Sequence, residues 1–239
     1  MNNLPIYISL VFGLTTIISI YLFYRAAHKK KIVMYATLAW LVIQSAIALT
    51  GFYTEIKTLP PRFILSIAPP TLLIVLLFII PRGRAFVDSL DKSMLTLLHA
   101  VRIPVEIVLL WLSIYKTVPQ LMTFEGSNLD ILSGISALVI YFLMFRIKKY
   151  NRTLLLVWNF ICLGLLVNIV AIAILSAPFV FQRLAFDQPN IALMYFPFIW
   201  LPSIVVPLVL LSHLASIRQL IFEKKIIKER TFDFAELSR

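Results

Sequence analysis

Three residues within one apolar run, MLTLLHAVRIPVEIVLLWLSIY at residues 94–115, set the chemistry this sequence could support: His99, Arg102 and Glu106. At about 100° per residue of an α-helix they fall within about 60° of one another, so they share a face. A guanidinium can hold an anionic or polar group, a carboxyl can take up and return a proton, and an imidazole can relay one. An ionised side chain near a bilayer centre costs about 2.5–3.5 kcal/mol on insertion scales. This face is therefore expected to meet protein or water rather than lipid.

Two residues from other runs are expected to join them. Asn168, in the run 154–176, sits at a depth matching Glu106, and His213, in the run 195–220, at a depth matching His99. The candidate binding set is thus His99, Arg102, Glu106, Asn168 and His213, suited to a small polar or anionic ligand. No metal site is expected, because the histidines lack an HxxxH or HExxH spacing and the one cysteine, Cys162, lies inside an apolar run. There is no GxxxxGK[ST], no GxGxxG followed by an acidic residue and no GxSxG. Catalytic residues and cofactors stay unassigned.

The elements that must position these residues follow from composition. Hydrophobic residues make up 61% of the 239, charged residues 14%, and the mean hydropathy is +0.94. Such a chain is expected to be an all-α integral membrane protein. Seven apolar runs, at about 4–24, 32–53, 63–80, 94–115, 129–145, 154–176 and 195–220, predict a bundle of seven transmembrane helices over 1–220, with a charged tail at 221–239. The first run lacks a basic flank and exceeds a signal-peptide core, so it is read as a retained span.

The net charge of +11 does not point to nucleic acid, because the basic residues cluster at the ends of apolar runs. Arg25, Lys29, Lys30 and Lys31 follow the first run, Arg82, Arg84 and Lys92 the third, and Arg146, Lys148, Lys149 and Arg152 the fifth, with Arg218 near the end of the seventh and five more after it. The opposite connections hold only Lys57, Arg62, Lys116 and Arg183. The positive-inside rule then sets the N-terminus outside and the C-terminus in the cytoplasm, in a cytoplasmic membrane.

Prolines at 69, 70, 104, 197, 202 and 207 predict kinks, and the carbonyls of Ala100, Phe198 and Ser203 need other partners. The spans that contain them, the third, fourth and seventh, are the expected cavity walls. Residues 85–93 either prolong the fourth span, adding Asp88 and Lys92 to its polar stripe, or form an amphipathic surface turn. Ser127 and Asp130 read as a capping box, and Ser133, Gly134, Ser136 and Ala137 as a helix-packing face. Asn159 is expected near the cytoplasmic end of its span, in a structural bond to another helix.

The chain resembles microbial rhodopsins in length, span number and orientation. Residues 195–220 hold no lysine, however, which argues against a retinal pump. Pro119-Gln120 followed by LSGIS at 132–136 resembles the PQ-loop and SWEET transporters, but this dipeptide falls at the outer end of the fourth span, where theirs faces the cytoplasm. Three functions remain open on sequence: a binder or transporter of a small polar or anionic molecule, proton-coupled through Glu106; a structural or assembly subunit bound to another membrane protein or a second copy; and an intramembrane enzyme acting on a lipid or isoprenoid.

Overall fold

The computed structural model describes residues 4–237, with side chains through Phe222. Every regular element among the described residues is helical. The α-helices are α1 (Ile6–Ala26), α2 (Lys31–Leu49), α3 (Ile64–Ile79), α4 (Pro81–Ser89), α5 (Lys92–Leu98), α6 (Arg102–Ile114), α7 (Asp130–Tyr141), α8 (Arg152–Leu175) and α9 (Val206–Leu237). Five stretches are long and apolar enough to cross a membrane: α1, α2, Lys92–Ile114, α8 and Leu201–Phe222. The pair α3 and α4 adds a sixth if it counts as one span bent by 96°. The expected fifth span, 129–145, falls on α7, which has 12 residues and continues into a π-turn of five at Phe142–Arg146.

The outer surface is as apolar as the composition demands. Ile6, Leu10 and Ile17 on α1 and Val42 and Leu49 on α2 are exposed, whereas α2 buries only Gln44 and Ala48. Faces of this kind suit hydrocarbon. The interior, in turn, buries Thr15, Thr16, Ser19, Ser203 and Ser212, whose hydroxyls donate to carbonyls one turn back in their own helices.

Connections gather at two ends. At the basic end the Asp91 amide donates to the Ala26 carbonyl (2.9 Å), His28 Nε2 meets the Ser89 carbonyl (2.7 Å) and Arg152 Nε donates to the Leu220 carbonyl (2.7 Å). At the other end the Ile191 amide donates to the Thr117 carbonyl (3.0 Å), Gln188 Nε2 to the Ser113 carbonyl (2.9 Å) and the Asn190 amide to the Ser176 carbonyl (2.8 Å).

Residues 85–91 do not prolong the fourth span, which begins at Lys92. Ile80 precedes Pro81 and is extended (φ −78°, ψ 133°), as the proline ring requires, and this ends α3 and turns the chain into α4. A separate helix starts at Lys92, where Asp91 Oδ1 accepts the Met94 amide (2.8 Å). Asp88 faces Arg218 of α9, which donates to both its oxygens at 2.7 and 2.9 Å. No continuous polar track leads from Asp88 to Arg102.

Prolines act unequally. Pro69 and Pro70 lie inside α3 without interrupting it. Ahead of Pro104 the chain tightens into a 3-10 turn at His99–Val101, and around Pro202 it widens into a π-turn at Leu201–Val205. The Ser203 carbonyl, which Pro207 cannot satisfy, accepts Trp40 Nε1–H at 3.0 Å. Trp40→Phe retains a ring and removes that donor. It is expected to cost about 1–3 kcal/mol in a denaturant titration in micelles, and a loss near zero would show that the carbonyl finds another donor.

Candidate functional site

The face shared by His99, Arg102 and Glu106 points inward, with all three at most 3% exposed. They do not act as a trio. Arg102 makes no ion pair with Glu106; its Nη1 donates to Asp130 Oδ1 on α7 (2.7 Å) and to the Cys162 carbonyl on α8 (3.2 Å). Its Nη2 lies 2.8 Å from His213 Nε2 on α9. A guanidinium only donates, so that nitrogen must accept, and the His213 proton sits on Nδ1, which donates to Asn159 Oδ1 at 2.9 Å. The result is a buried clasp through one arginine across four helices.

His99 stacks on His213 with ring centroids 3.8 Å apart and lies edge-on to Trp158 at 5.5 Å. Neither of its ring nitrogens has a hydrogen-bond partner. In this arrangement His99 is a packing partner of His213, and no acceptor stands within reach for it to pass a proton to.

Of the two residues that read as a capping box, only Asp130 belongs to the interior, together with its neighbour Asn128. Ser127 caps nothing and is exposed, and Leu129 occupies the N-cap position of α7. Asn128 Oδ1 accepts the Asp130 amide (3.0 Å), while its Nδ2 donates to Glu106 Oε1 and to the Met122 carbonyl (3.0 Å). This frees the Asp130 side chain to turn towards Arg102. The signal in the sequence was the arginine itself: a buried cation demands a countercharge, and Asp130 was an acid bordering an apolar run.

Asn168 is not with the others; it is exposed and its Nδ2 donates to the Ser127 carbonyl (3.1 Å). Asn159 takes the inward place, fully buried against His213. Nine residues of helix turn through about 900°, so the two asparagines of α8 point in opposite directions and only one could face the core. Asn159→Leu is expected to leave His213 Nδ1–H unsatisfied and lower stability by about 1–3 kcal/mol. Thermal unfolding of the purified variant tests this, and an unchanged midpoint would remove Asn159 from the clasp.

Beside the clasp lies a cavity of about 110 Å³. Its walls come from Phe63 and Ile67 near the start of α3, Glu106 and Leu109 on α6, Ile169 and Ala173 on α8, and Pro202 and Val206 ahead of and within α9. A water needs about 10–15 Å³ of such space, so a small solute or several waters fit. Glu106 and Asn190 line it, and each carries a buried oxygen, Oε2 and Oδ1, that lacks a partner. Asp130 also borders it, whereas His99, Arg102, Asn168 and His213 do not. The cavity therefore offers oxygen acceptors, and the nearby guanidinium is already engaged.

Among the described residues no group of three or more His, Cys, Asp or Glu side chains could hold a metal ion. Residues 59–221 match a protein family described as a domain of unknown function (DUF8737). No curated protein and no solved structure matches the chain.

Proposed function

We propose, from the premise that the chain belongs to the DUF8737 family, that it is a multi-pass membrane protein which binds or transports a small polar molecule at Glu106. The observation that carries this reading is Glu106 in the cavity wall with its Oε2 unpartnered, while Arg102 is committed to Asp130. Two carboxyl groups stand near one guanidinium, and only Asp130 pairs with it. The second carboxyl must then hold a proton or be balanced by a cationic or donor-bearing solute, since an uncompensated buried charge is costly. An anionic ligand held by Arg102, as the sequence suggests, would have to displace Asp130. The preferred ligand is accordingly a small amine, a cation or a proton-exchanging solute.

Seven crossings belong to the same proposal, with α7 and its π-turn as a short span sheltered by α5, α6 and α8. The basic end, where Lys30, Arg84, Lys92 and Arg152 gather, is assigned to the cytoplasm of a cell membrane by the positive-inside rule.

Purified full-length protein is to be screened by thermal shift against small primary amines and monovalent cations, beside Glu106→Gln. At least one solute is expected to stabilise the wild type and leave Glu106→Gln unmoved. Equal responses of both proteins to every solute would overturn the assignment. The clasp supports the structural alternative for Arg102, Asp130 and His213, since both terminal nitrogens of Arg102 are engaged there, although its buried Nε has no partner.

A further inference from the structure

Away from the Glu106 cavity, α2 and α3 stand apart over the start of α9 and leave an apolar trough of about 550 Å³. It extends from Ile32 to Trp40 on α2, from Pro69 to Leu77 on α3, and from Ser203 to Leu211 along its floor. Eight residue steps on each wall correspond to about 12 Å at 1.5 Å per residue. The three walls agree on direction. Ile32 follows Lys31, Leu77 precedes the turn into α4, and Leu211 precedes Arg218, so one mouth of the trough opens at the basic end. At the far end Trp40 Nε1 is tied to the Ser203 carbonyl.

The mouth is cationic. Exposed Lys31 adjoins Ile32 of the trough wall in sequence, exposed Arg82 and Arg84 precede Phe86 on α4, and Lys30 Nζ lies 5.3 Å from the ring of Phe86, which itself lines the trough. The acid on α4, Asp88, is bonded to Arg218 rather than to these cations. An apolar slot of limited depth under a cluster of basic side chains at a membrane surface matches an amphiphile with an acyl chain and an anionic head. A second copy seated in the same membrane orientation would bring its own Lys31, Arg82 and Arg84 to the same level and be repelled.

We propose that this trough binds an anionic phospholipid, one acyl chain lying between α2 and α3 and the phosphate held by Lys31, Arg82 and Arg84. The inference does not depend on the role of Glu106. The test is native mass spectrometry of the full-length protein released from vesicles of equal phosphatidylglycerol and phosphatidylcholine, compared with Lys31→Gln/Arg82→Gln/Arg84→Gln. The wild type is expected to retain phosphatidylglycerol preferentially, with the preference falling on the order of tenfold in the triple variant, because cations near the surface attract anionic lipid. Ala36→Phe, which fills the trough and keeps the cations, is expected to lower retention as well. No preference in the wild type, the same preference in the triple variant, or undiminished retention in Ala36→Phe would each overturn the site. Recovery of a second copy or another protein in place of lipid would do the same.

Discussion

Asp130→Ala is expected to destabilise the protein by about 3–5 kcal/mol, the cost of leaving a buried cation without its countercharge. Arg102 and Asp130 are 3% and 7% exposed at their side chains and meet at 2.7 Å. Removing the carboxylate leaves Arg102 Nη1 with the Cys162 carbonyl at 3.2 Å, a dipole in place of a charge. Replacing both partners with apolar groups, as in Arg102→Met/Asp130→Leu, is expected to recover most of the loss, because the desolvation of two ions disappears with their attraction. Equilibrium unfolding in mixed micelles distinguishes the cases. A single variant within about 1 kcal/mol of wild type would mean that Arg102 can exchange Asp130 for Glu106, and the division between a structural clasp and a free carboxyl would fall.

Gly134→Val should be the second severe substitution. A Cβ at this position would stand 2.8 Å from Ile103 Cγ1, 3.0 Å from the Ile103 backbone nitrogen and 3.3 Å from Arg102 Cβ. The isoleucine tip can swing aside, but the backbone nitrogen can yield only if α6 moves as a body. Overpacking of this kind costs about 1–3 kcal/mol, and here it also pushes Arg102 away from Asp130. Gly164, in the middle of α8, is the matched control, since a Cβ there would meet nothing within 4 Å. Gly164→Ala is expected to be neutral or to add up to about 1 kcal/mol through helix propensity. The same unfolding titration serves both, and equal effects would refute the close approach at Gly134.

The difference between these two glycines marks how far sequence reasoning reaches. Both sit in apolar helices, and the run of Ser133, Gly134, Ser136 and Ala137 identifies a packing face by residue size alone. Which backbone comes against it is not encoded locally. In the structure it is the turn at Arg102 and Ile103, so the small-residue face is what allows the guanidinium to reach α7.

The prolines show the same division. Their positions name the carbonyls that lose a donor, because the missing N–H is a property of the residue. That the Ser203 carbonyl would be answered by an indole from α2, 163 residues away, is a property of the bundle.

By itself, then, the sequence determined the helical apolar character of the chain, the inward face of His99, Arg102 and Glu106, and the crowding of basic residues at one end. Each of these rests on periodicity or on the free energy of transfer of single residues, quantities that need no knowledge of neighbours. Only the tertiary structure decided the pairings: Asp130 rather than Glu106 for Arg102, Asn159 rather than Asn168 for His213, and Glu106 left in a cavity wall with one oxygen unpartnered. Pairing is settled by which helices lie in contact, and a buried cation accepts whichever carboxylate the packing delivers within reach.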